Sequence, residues 1–195
     1  MTPERAAILA ELRAKLAPLA PPTTPPPALP SGLPALDALC GGWPNPGLAV
    51  IAGAPGLGRL GFVLPAMRAL TAAGRHVALV DAAAWCNPAG LPGVDLDRLV
   101  LVRPGASQAG WAAEQLLRCG EIALVVVLDP PPPGRLGVRW MRAAEMGGTT
   151  GIVLLSRPDP GLPAKLRLEM CEAGAARVVR ATGSREGNRR DIVRL

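Results

Sequence analysis

At 195 residues the chain has room for one domain with an appendage and for a substantial core. Its apolar share of 49 % contains no run of about eighteen uncharged apolar residues, which excludes a membrane-spanning helix. The amino terminus, MTPERAAILAELRAKL, carries charges where a signal peptide has its apolar core, so a cytoplasmic protein is expected. A net charge of +6 and a pI near 10.1 favour an anionic partner, with nucleic acid the foremost class, although coding bias accounts for arginine over lysine. Cys40, Cys86, Cys119 and Cys171 lie far apart, without CxxC spacing and with His76 as the single histidine. They read as buried thiols, which excludes a zinc site and a disulfide framework.

Residues 3–17 predict an amphipathic helix, capped by Thr2, with Ile8, Leu9, Leu12 and Leu16 on one side. Residues 18–30, PLAPPTTPPPALP, are a semi-rigid proline linker. The globular domain is expected over 31–195. Ser31 is placed to cap a short helix with Leu33, Leu36 and Leu39 inward, ended by Gly41 and Gly42. A strand over 49–53 leads into a helix over 59–73, with Phe62, Met67 and Leu70 toward the core and Pro65 near its first turn.

Between these two elements lies the most informative stretch. Gly53, Gly56 and Gly58 keep the spacing of the phosphate loop GxxxxGK[ST], which cradles phosphate with backbone N–H groups and a helix amino terminus. Its last two positions are broken. Arg59 replaces the lysine, keeping the charge but not the compact shape, and Leu60 replaces the hydroxyl that ligates magnesium. The loop amides with Arg59 retain the chemistry to hold a phosphate or sulfate. A bare strand-to-helix turn is the alternative.

Further strands are predicted over 76–80, ending in Asp81, over 99–102, and over 123–128, ending in Asp129. Helices are predicted over 108–119 and in the arginine-rich stretch after residues 130–133, then a strand over 151–155. Residues 165–171 alternate apolar and polar with period two, and 177–182 and 191–195 flank a turn, as a hairpin would. Strands separated by helices imply a mostly parallel α/β sheet with helices on both faces and ligands at the strands' carboxyl ends. The carboxy-terminal hairpin makes its last part antiparallel. Trp43, Trp85 and Trp111 are expected as core or rim packing; Trp140 alone is suited to stack on a base.

Over 31–195 the order of SGLPALDALCGG, the degenerate loop at 53–60, VDAAAWCNP at 80–88, GVDLDRLVLVRP at 93–104 and ALVVVLD at 123–129 resembles the ATPase core of the recombinase RecA. That resemblance implies a RecA-like P-loop core. It also places Ala83 where RecA has the glutamate that activates water, and Asp129 where RecA has the carboxylate beside nucleotide and metal. Asp129 then holds a metal's water or caps backbone N–H groups; Asp81 reads as a structural acceptor. Loss of a general base alone costs about 100- to 10,000-fold in rate. With base, lysine and hydroxyl all altered, a pseudo-ATPase without a working ATP or magnesium site is expected.

A short, arginine-rich, RecA-like chain with a damaged nucleotide site is similar to the ImuA family, accessory proteins of the bacterial mutasome. The resemblance implies damage-induced mutagenesis by translesion synthesis. The partners it implies are RecA, the polymerase-like ImuB and an error-prone replicative-type polymerase, with recombination restrained. It assigns the helix bearing Ile8, Leu9, Leu12 and Leu16 to partner contact, because RecA protomers join partly through such a helix. It assigns Arg135, Arg139, Arg142, Arg157, Lys165 and Arg167, at or near the connections that carry RecA's DNA loops, to weak, salt-sensitive contact with single-stranded DNA. Two alternatives remain: a DNA-stimulated ATPase with an unorthodox loop, and a SulA-like inhibitor of cell division, which the glycine loop and basic charge disfavour.

Overall fold

The computed structural model describes residues 28–131, 136–181 and 192–195; the expected helix over 1–17 and most of the linker lie outside them. The domain begins before Ser31. Leu29 and Trp43 exchange backbone hydrogen bonds of 2.8 and 2.7 Å, which brings the linker's last residues into the fold. Ser31 does not cap the first helix, because that helix, α1 (Pro34–Cys40), starts later, at a proline whose fixed φ suits a first turn. Ser31 Oγ instead accepts from the Leu33 N–H at 3.0 Å, and the Ser31 N–H donates to Asp37 Oδ1 at 2.8 Å.

Strands β1 (Gly47–Ala52), β2 (His76–Val80), β3 (Leu99–Val102), β4 (Ile122–Leu128), β5 (Thr150–Leu155), β6 (Leu166–Glu172), β7 (Ala175–Ala181) and β8 (Ile192–Arg194) form one sheet in the order β3-β2-β4-β5-β1-β6-β7-β8. Strands β1 to β6 pair in parallel, while β7 runs antiparallel to β6 and β8 antiparallel to β7. The reversal comes one hairpin earlier than the sequence suggests. Gly174, at φ +72°, makes the β6–β7 turn, so β7 opens at Ala175 rather than near 177.

Period-two alternation inside the apolar strands supplies both faces. Ile51, Leu79, Val126 and Leu154 point into one core with Leu36 of α1 and with Phe62 and Met67. Val50, Val80, Val127 and Leu155 point into the other, with Leu117 of α3 (Ala109–Arg118) and Trp140 of α4 (Leu136–Gly147). Each such side chain contributes roughly 1.5–3 kcal/mol of burial, which is how the four central apolar strands, β1, β2, β4 and β5, hold two helical layers. The helix predicted over 59–73 is divided. Residues Arg59–Phe62 wind as a 3-10 turn, and α2 (Leu64–Ala72) follows, with Pro65 in its first turn where no N–H is needed.

Trp43 is buried, but Trp85 and Trp111 are 64 % and 63 % exposed, contrary to expectation. Trp85 lies in the loop after β2. Trp111 stands on the solvent side of α3, whose buried side is made of Ala109, Ala112, Ala113 and Leu117. Of the cysteines, Cys86 is buried and Cys40 partly so, while Cys119 at the end of α3 and Cys171 near the end of β6 are exposed. No helix among the described residues is long and apolar enough to cross a membrane.

Candidate functional site

Beyond β1 the chain keeps pairing for one residue, the Gly53 N–H donating to the Leu155 carbonyl at 2.9 Å, before it turns away. A Cβ at Gly53 would stand 2.5 Å from Met170 Cβ, so only glycine fits between loop and β6. Gly56 and Gly58 both have φ +86°, the left-handed region that glycine enters without strain. The carbonyl of Leu57 accepts the Gly174 N–H at 3.0 Å, tying the loop to the β6–β7 turn. The first turn after the loop is tight, with the Gly61 N–H closing on Gly58 O at 2.8 Å. Leu60 packs against the core, so the position of the magnesium hydroxyl is occupied by an inward apolar side chain.

Arg59, only 9 % exposed, reaches across to the end of β4. Its Nη1 donates to Asp129 Oδ1 at 2.8 Å and its Nη2 to Oδ2 at 2.7 Å, a bidentate fork. Ser156 Oγ, at the end of β5, donates to Asp129 Oδ1 at 2.6 Å. Asp129 therefore gathers side chains from the loop after β1 and from the end of β5, and it accepts a backbone hydrogen bond from Ser156 as well. It sits at φ +36°, a conformation that aspartate tolerates better than most residues. Burial alone would raise its pKa; hydrogen bonds from Arg59 and Ser156 and the charge of Arg59 outweigh that and hold the carboxyl below its ordinary value. A cleft of about 450 Å³ opens beside this triad, lined by Asp129, Pro130 and residues 155–159.

Asp81, one strand away, is fully buried and faces its own loop. Its carboxylate accepts the N–H groups of Trp85 at 3.1 Å and Cys86 at 2.8 Å, with Arg103 Nε 4.0 Å away. Arg103 Nη2 donates to the Cys86 carbonyl at 2.7 Å and closes the loop from β3. Ala84 within it is left-handed at φ +56°. Ala83 is exposed at the loop's tip and offers no group that could activate water. Burial, then the charge of Asp81, pushes the Cys86 thiol up, against a smaller opposing effect of Arg103, which makes it an inert sulfur.

The basic residues assigned to DNA do not form one surface. Lys165 lies at the amino ends of the strands, its Nζ donating to the Pro46 carbonyl at 2.9 Å and standing 3.4 Å from Glu145. Arg157 is exposed at the opposite end, beside the cleft. Arg167 donates to the carbonyls of Asp159 and Leu162 and braces that loop. Arg139 pairs with Glu114 at 2.7 Å, and Arg142 faces solvent on α4. Trp140 is fully buried, its Nε1 donating to the Gly110 carbonyl at 2.9 Å, which removes it as a base-stacking platform. Arg135, Ile8, Leu9, Leu12 and Leu16 lie outside the described residues. Ser156 and Arg103 were not legible as site residues. The signal for Ser156 was its place one residue past β5, as Asp129 stands past the neighbouring β4.

No protein-family model and no curated protein sequence matches the chain. Among solved structures, the RadB recombinase superposes with a TM-score of 0.65, covering 82 % of this chain and 92 % of its own, at 22 % identity. The fold is RecA-like. On this RecA-like sheet the glycine loop, the Asp81 loop and the Asp129 triad share the carboxyl ends of adjacent strands, where open α/β sheets bind ligands.

Proposed function

We propose that this protein is a motorless RecA-like adaptor, a pseudo-ATPase acting in the cytoplasm in damage-induced mutagenesis and translesion DNA synthesis. In this reading it binds RecA and an ImuB-type polymerase homologue working with an error-prone replicative-type polymerase, and it restrains recombination. The observation that carries it is the fork between Arg59 and Asp129. The cation at the phosphate-lysine position and the carboxylate at the metal position neutralise each other. Phosphoryl transfer depends on positioned charge, so a site whose opposite charges are already bonded has little left for phosphate or magnesium. Ala83 at the base position points the same way.

The test is ATP turnover by the purified protein, with and without single-stranded DNA, followed in the same samples by RecA strand exchange. Background-level turnover together with altered strand exchange supports the adaptor. Turnover well above background that is lost in Arg59→Ala overturns it, because Arg59 would then serve phosphate rather than Asp129.

A further inference from the structure

The outer surface of α3 and α4 carries large apolar side chains that nothing in the fold covers. Trp111 is 63 % exposed, Val138 52 % and Met146 72 %. Both helices connect parallel strands, so they run side by side with the same polarity. Trp140 Nε1 donates to the carbonyl of Gly110, and Leu136 packs against the same glycine. Trp111, the next residue, therefore stands level with the first turns of α4, where Val138 lies. Val138, Arg142 and Met146 follow at i, i+4 and i+8 and make one ridge along that helix.

The charge around these residues is net positive. In the seam, Glu114 is 4 % exposed and is flanked by two guanidinium groups, Arg118 at 3.0 Å and Arg139 at 2.7 Å, both about half exposed. One buried carboxylate thus balances only one of two cations. Arg142, on the ridge, has no ion-pair partner among the described residues. Glu145 at the far margin is balanced by Lys165. The face is a set of apolar anchors in a cationic field.

We propose that the α3–α4 face docks an acidic amphipathic helix of a partner protein, with Trp111, Val138 and Met146 taking its apolar side and Arg118, Arg139 and Arg142 its carboxylates. A ridge at i, i+4, i+8 beside a second helix offers the groove that a third helix fills, and a rigid tryptophan flanked by arginines is the composition of an interface hot spot. Single-stranded nucleic acid fits less well, because Val138 and Met146 have no π face on which a base could stack. The chain's own residues 3–17 carry Arg5, Arg13 and Lys15 against Glu4 and Glu11, the same net sign as the face. The inference is independent of the phosphate loop.

Fluorescence anisotropy of the full chain tests it. The probe is a labelled peptide of about 18 residues with leucine at helical i, i+3, i+4, i+7 spacing and glutamate elsewhere. Its lysine counterpart and an oligo-dT strand of about 20 nucleotides serve as the comparisons. The acidic peptide is expected to bind and the lysine peptide not. Arg142→Glu and Trp111→Ala, both at exposed positions, are each expected to weaken the acidic peptide roughly tenfold while leaving circular dichroism and melting temperature unchanged. Absent binding, equal binding of both peptides, or affinity indifferent to both variants would overturn the proposal. So would oligo-dT binding that depends on Trp111 and Arg142 while the peptide does not, which would make the face a nucleic-acid surface.

Discussion

Two neighbouring strands of the sheet, β2 and β4, are each followed directly by an aspartate, and the two aspartates do opposite things. Asp81, its side chain 1 % exposed, accepts N–H groups four and five residues further on. Asp129, 12 % exposed, accepts from Arg59, 70 residues earlier, and from Ser156, 27 residues later. The first is a staple inside one loop; the second is a junction where the ends of β1, β4 and β5 meet. The same residue type at the same place in the topology takes its role from how far along the chain its partners lie.

The largest effect is expected at the staple. Asp81→Ala strands two backbone donors in a buried loop and leaves Arg103 without its acid, for a loss of about 3 kcal/mol, or roughly 6–12 °C in melting temperature followed by circular dichroism. Asp81→Asn keeps an acceptor and is expected to lose about half as much. A shift under about 1 °C for the alanine variant would break the contrast, since Asp81 would then not be holding its loop. At the junction, Arg59→Ala is expected to cost about 2 kcal/mol, less than a fully buried pair because Asp129 keeps Ser156 and some water. The decisive number is the coupling. The double variant Arg59→Ala with Asp129→Ala is expected to fall short of the sum of the singles by about 1–3 kcal/mol in denaturant titrations. Additive losses would mean that the fork contributes nothing.

The same contrast explains what could be read from the chain. Strands β2 and β3 and the ending of α1 at Gly41 follow from apolar runs and punctuating glycines, and the structure has them where local pattern places them. Asp81 as a structural acceptor belongs to that local class. Arg59 was legible as a departure from the phosphate loop, but its partner was not. Nothing within a short window says that an arginine after Gly58 will meet an aspartate after Leu128, because β5 lies between β1 and β4 in the sheet and only the tertiary order brings the loops together. The cationic set failed for a related reason. Lys165 and Arg157 are eight residues apart, yet the intervening chain carries them to opposite ends of the strands, and periodicity holds no record of that crossing.

Acid sharpens the comparison with a smaller effect. Because the folded pKa of Asp129 is depressed below its ordinary 3.8, the stabilisation it brings is complete above that value and fades as pH falls through the folded one. The stability gap between wild type and Arg59→Ala is therefore expected to be widest at neutral pH and to narrow below about pH 4. A gap that stays constant down to about pH 2 would mean that the loss in Arg59→Ala comes from packing and not from charge. Ser156→Ala removes one of the three side-chain hydrogen bonds on the same carboxylate, keeps the backbone one from residue 156, and is expected to cost about 1 kcal/mol, with the Asp129 carboxyl titrating at higher pH than in wild type.

The smallest effect compares backbone strain at the two strand ends. Ala84 at φ +56° and Asp129 at φ +36° are the described non-glycine residues in the left-handed region. For alanine that conformation costs about 1 kcal/mol or somewhat more, and glycine removes the cost while adding up to about 1 kcal/mol of backbone entropy to the unfolded chain. Ala84→Gly is therefore expected to be neutral or to stabilise by about 0.5 kcal/mol, a rise of roughly 1–2 °C, because its side chain is exposed and bonds nothing. Asp129→Gly relieves the same kind of backbone but deletes the acceptor of Arg59 and Ser156, so it is expected to destabilise by about 2 kcal/mol. Opposite signs at two positions of similar φ would show that Asp129 is held in a strained geometry by the bonds its side chain makes. Equal signs would place the stabilisation in the loop backbone and leave the fork incidental.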